Sequence, residues 1–135
     1  MQLRSIGAVV AAILLISLIV EGLEFALVSL VNGSITTDPE RYMAIRNQGW
    51  FLGLKFGYNF AAGVAGGALA SNIAKRAPLR HGALVAGLQT VAFLAALSNA
   101  EMRATAPLWA WAGFIVATGL GILAGAYLGG RRGQA

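Results

Sequence analysis

Cysteine is absent from this 135-residue chain, histidine occurs once, at His81, and proline three times. The first absence excludes disulfides, thiolate metal sites and cysteine nucleophiles. A single histidine cannot build a multi-histidine metal or haem site within one chain. Charge is scarce as well: 11% of residues are charged, where a soluble domain carries about 25%. Also missing are the signatures of soluble catalysis, namely a serine–histidine–acid set with its elbow, a phosphate-binding glycine loop and an HExxH zinc motif. What is abundant is apolar. Hydrophobic residues make up 58% of the chain, with 18 glycines and a mean hydropathy of +0.72. So little polar surface cannot coat a water-soluble globule, so the expected solvent is lipid. Glycine and alanine then let helix backbones approach closely.

Four segments are read as membrane spans, at about 3–31, 50–73, 82–97 and 108–128, against a requirement of ~20 apolar residues for a ~30 Å core. The third is the shortest. Arg4 ahead of an apolar core resembles a secretory signal, but the run is too long and no small-x-small cleavage site follows, so an uncleaved span is expected. Gly33 and the Asp38-Pro39 turn signal end the first helix before a polar stretch. Arg4, Lys75, Arg76, Arg80, Arg131 and Arg132 fall on one side of the spans. Arg41, Arg46 and Arg103, mixed with acids, fall on the other. The positive-inside rule then places both termini in the cytoplasm, and Trp50, Trp109 and Trp111 form an outer aromatic belt. The expected fold class is therefore all-α: a polytopic membrane protein with four transmembrane helices in one antiparallel bundle, in a bacterial inner membrane. The net charge of +5 sits in short clusters between apolar runs. That placement suits anionic lipid headgroups and excludes a nucleic-acid partner.

The stretch ISLIVEGLEFALVSLVNG places Glu21 and Glu24 three residues apart in an otherwise apolar run. Residues three and four apart share a helix face. Ser17, Glu21, Glu24 and Asn32 thus form one polar stripe, and Gln48, Lys55 and Asn59 another on the second span. At 1.5 Å per residue, Glu24 lies ~10 Å and Lys55 ~9 Å outward of their span centres, with Glu21 at ~6 Å and Asn59 at ~3 Å. Matching depth on antiparallel helices predicts a Glu24–Lys55 ion pair and leaves Glu21 for another role. An acidic side chain near the middle of a span costs ~2.5–3.5 kcal/mol on insertion scales, so it marks function or a registry pair. A carboxyl able to hold or release a proton beside a fixed ion pair suits cation or proton exchange, with Ser17 and Asn59 as neutral hydrogen-bonding partners.

Glu21-Gly22-Leu23-Glu24 resembles the Arg-Glu-x-x-Glu motif of the high-affinity iron permeases, with Val20 at the position of the arginine. The resemblance implies that Glu21 and Glu24 are carboxylate ligands of a hard metal cation such as iron. A homodimer would supply the second motif that the family carries on another helix. The chain is also similar to the small four-helix multidrug exporters in helix number and in having a first-span acid.

Small residues at four-residue spacing occur as Gly53 with Gly57, Gly63 with Gly67, and Gly121 with Gly125 and Gly129. They are expected to pack helices closely, within the bundle or in a homo-oligomer. Three functional readings remain open at this level. The first is a membrane protein binding or moving a cation or proton at Glu21 and Glu24, with Lys55 orienting them. The second is an accessory subunit of a larger membrane complex with a structural Glu24–Lys55 pair. The third is a membrane enzyme using the carboxylates as acid and base.

Overall fold

A computed structural model of the chain describes residues 3–75 and 77–132, so Arg76, counted above among the basic residues setting orientation, lies outside the described residues. Among the described residues six helices follow one another: α1 (Leu3–Asn32), α2 (Pro39–Arg46), α3 (Gly49–Ala74), α4 (Pro78–Ser98), α5 (Ala100–Arg103) and α6 (Leu108–Arg132). The four long helices coincide with the expected spans to within a few residues. Of these, α1, α4 and α6 are long and apolar enough to cross a membrane.

The helix ends follow local chemistry. Gly33 takes φ +77° just after α1, a left-handed position where a side chain would be strained. The polar stretch that follows is not merely a turn. Asp38 caps α2 by accepting from the backbone N–H groups of Glu40 and Arg41, and Pro39 fits the first helical position because the N–H it lacks would be unpaired there. Asn99 caps the short α5 in the same way.

The four long helices alternate in direction. Arg4 Nε donates to the Ile73 carbonyl at 2.7 Å, tying the start of α1 to the end of α3. The tightest contact joins two parallel helices, α3 and α6. A Cβ on Gly63 would lie 2.6 Å from the Thr118 carbonyl oxygen, and one on Gly67, Gly121 or Gly125 would strike the facing backbone of Ile122, Phe60 or Val64. Glycine is therefore required at these four positions. Gly53 and Gly57 differ: nothing lies within 4 Å of a Cβ on either, and both are on the outer surface of α3.

The core divides by depth. Val9, Ala12, Ile16, Val20, Tyr58, Ala62, Ala70, Val85 and Ile122 fill the middle of the bundle and the half nearer the chain ends. Leu52, Ala106, Ala110, Trp111 and Phe114 fill the other half between α3 and α6. Val28, Ile45 and Phe51 form a third cluster that docks α2 on α1 and α3. α1 and α4 meet loosely, and a cavity opens between them in the half away from the chain ends.

Candidate functional site

The site grows from the buried Glu24. It stands on the α1 face that also carries Val20 and Val28, turned into the bundle, and is 4% exposed. Lys55, also 4% exposed, donates from α3 to Glu24 Oε2, so the expected ion pair is present. A second cation joins it. Arg46, from the last turn of α2, places Nε 2.6 Å from Glu24 Oε1, in a contact that is ionic and poorly aligned for a hydrogen bond. Tyr58 donates to Oε2 at 3.3 Å and Tyr42 to Oε1 at 3.4 Å. One carboxylate thereby ties together α1, α2 and α3. Burial, followed by the Glu24 and Glu21 charges, pushes the Tyr42 phenol up to about 12.

Further bonds extend this node. The Lys55 ammonium lies 4.9 Å from the centre of the Phe114 ring, close enough for a cation–π attraction. Asn59 donates to the Lys55 carbonyl at 2.8 Å and accepts from Thr118 on α6 at 3.2 Å. Arg46 and Asn47 both donate to the Thr105 carbonyl, at 3.1 and 2.8 Å, which fastens α2 to the segment before α6.

The two glutamates do not share a site. Glu24 is consumed by the node, whereas Glu21 and Ser17 lie on an exposed part of α1. Glu21 makes no ion pair among the described residues. Asn32 sits far out at the helix end, where Arg41 donates to it. Gln48 is an exposed residue beside Trp50, bonded at 2.6 Å. The expected stripes are thus split by helix rotation and length. Glu21, Ser17, Lys55 and Asn59 nevertheless border one cavity of about 240 Å³ between α1 and α4, together with Arg46 and Gln89. Glu24 does not border it.

A metal ion fits these donors poorly. Hard cations ask for several oxygen ligands, yet both oxygens of Glu24 already face positive groups. Among the described residues, no group of three or more histidines and carboxylates is placed to share an ion.

Sequence spacing gave no sign of Arg46, whose role depends on α2 folding back over the bundle. Tyr58 was open to discovery, because it follows Lys55 by three residues and so shares its helix face. Comparison with protein-family models, with curated proteins and with solved structures finds no match to this chain.

Proposed function

We propose that the protein is a four-span integral membrane protein of a bacterial inner membrane, with both termini cytoplasmic, which exchanges a proton at Glu21 while binding or moving a solute. The observation that carries this reading is the shared cavity: Glu21, Ser17, Lys55 and Asn59 border one space in the outer half of the bundle. A proton asks for a single carboxyl group with access to that space. A metal ion asks for more oxygens and fewer neighbouring cations than this wall supplies. The Glu24–Lys55–Arg46 node then serves as the fixed frame.

Counting α3 as a span is supported by its place among the other three helices. Its 26 residues extend ~39 Å at 1.5 Å per residue, more than the ~30 Å core. The orientation is supported by the gathering of Arg4, Lys75, Arg80 and Arg131 at the end opposite Trp50 and Trp109.

The test is proton movement in liposomes holding a pH-sensitive dye, under an imposed membrane potential, for wild type and Glu21→Gln. Loss of movement in the variant at unchanged thermal stability is the expected result. Equal movement in both proteins rejects the proposal.

The accessory-subunit reading has its own support. Glu24 is fully partnered, and only 22% of the apolar window of α1 and 11% of that of α4 is buried, which leaves broad apolar faces for other helices. Mass measurement of the gently extracted protein tests it: a larger assembly favours this reading, and a lone copy or homo-oligomer opposes it.

A further inference from the structure

The two walls of the cavity carry opposite charge. On the deep side, Lys55 and Arg46 set two positive charges against the one carboxylate of Glu24, and Glu24 is turned away from the cavity. The surplus is donor-rich. An ammonium carries three N–H donors, one of which goes to Glu24, and the other two have no acceptor among the described residues. The buried indole N–H of Trp111, another lining residue, has no acceptor among the described residues either. On the α1 side stands Glu21, a carboxylate with no paired cation among the described residues.

A surplus charge in a low-dielectric site calls for a counter-charge. Glu21 does not reach across to supply it, so empty space separates a cationic wall from an anionic one. One molecule bearing both charges satisfies both walls at once. The cavity volume of about 240 Å³ lies below the ~300–1,000 Å³ of sites for drug-sized ligands, so the molecule is a small one. Ile16, Val20, Phe93 and Phe114 supply apolar flanks.

We infer that this cavity binds a small zwitterion, its anionic group on Lys55 and Arg46, its ammonium on Glu21 and its short apolar part against the aromatic flank. Free amino acids have this chemistry, and so does the phosphoethanolamine headgroup of a lipid. The inference rests on the reading of Glu21 given above and supplies the link to the proton. An ammonium and a proton would then compete for the one carboxylate of Glu21. No covalent bond forms or breaks in the ligand.

The experiment is equilibrium binding to the purified full chain in detergent, using glycine, leucine and phenylalanine beside their single-charge analogues, for leucine isocaproate and isoamylamine. A second arm uses native mass spectrometry after reconstitution into discs of ethanolamine, choline or glycerol phospholipid. The zwitterion is expected to bind about tenfold or more tighter than either analogue. Glu21→Gln, an exposed position that leaves the buried node intact, is expected to remove that advantage without weakening isocaproate binding. Retention of ethanolamine lipid alone, lost in Glu21→Gln, assigns the lipid as the source. Isocaproate binding as tightly as leucine overturns the inference, as does the absence of both amino-acid binding and retained ethanolamine lipid. Proton movement that depends on Glu21 without zwitterion binding sinks only this inference. Zwitterion binding without proton movement sinks only the earlier proposal.

Discussion

Lys55 of α3 and Glu24 of α1 form a buried ion pair whose second carboxylate oxygen is held by Arg46 of α2. The arrangement is a triad with one surplus positive charge, and it behaves differently from a simple pair. Glu24→Gln leaves two cations facing each other without an anion, and should cost about 3–5 kcal/mol, as the loss of one partner from a buried pair does. Lys55→Met leaves Glu24 paired with Arg46 and should cost less. In the double variant Arg46 remains uncompensated, so stability should return only in part. Thermal unfolding of the four proteins in one detergent decides the matter. Full recovery in the double variant would reduce Arg46 to a bystander.

The α3–α6 seam separates two kinds of glycine. An alanine methyl at Gly67 or Gly125 would strike the opposite backbone, and overpacking of this kind costs roughly 1–3 kcal/mol. The same change at Gly53 or Gly57 meets open space, so removing a flexible glycine from a helix should stabilise by about 0.5–1 kcal/mol. Alanine variants at the four positions should therefore fall on opposite sides of wild type in thermal stability. A loss at Gly53 or Gly57 that appears only above a threshold protein concentration would show that the outer face of α3 joins two copies.

How much of this was legible in the residues depends on the distance over which each feature is specified. Helix positions were legible because hydrophobic length, Gly33 and Pro39 act locally. The Glu24–Lys55 pair was legible because depth along a helix scales with residue count. Helix rotation was not: the three-residue spacing of Glu21 and Glu24 places them about 60° apart around the axis at ~100° per residue, enough to send one inward and the other to the cavity rim. Arg46 escaped because its position is set by the Ile45 and Tyr42 contacts of α2 with α1 and α3. Glycine spacing alone could not separate Gly53 from Gly63, since both repeats sit on one helix and only the partner's position distinguishes their faces.

Asp38 offers a local test of how α2 is held. Its carboxylate accepts from Glu40 N at 3.0 Å and Arg41 N at 3.5 Å, and loss of such a cap costs about 1 kcal/mol. Arg46 and Asn47 secure the far end of the helix through Thr105. Asp38→Ala should therefore loosen the start of α2 without detaching it. Hydrogen exchange should quicken over residues 40–42 and stay slow at Arg46. Uniformly fast exchange through α2 would show that the cap, and not the Glu24 node, holds it in place.

Tyr42 makes the node sensitive to alkali. Its phenol is pushed up to about 12 from an ordinary 10.0 by burial, then by the Glu24 and Glu21 charges. An acid held more tightly protonated in the folded state keeps a proton that the unfolded chain gives up first. Its contribution to stability is therefore complete below about pH 10, declines as pH rises, and is lost above about pH 12. Solvent screening of the half-buried ring keeps the size of the effect modest. The unfolding temperature of wild type should accordingly fall faster between these limits than that of Tyr42→Phe, with the two curves parallel at neutral pH. Parallel curves throughout would mean that Tyr42 does not rest on Glu24, and α2 would then be held to α1 by Arg46, the Ile45 contacts and the Arg41–Asn32 hydrogen bond.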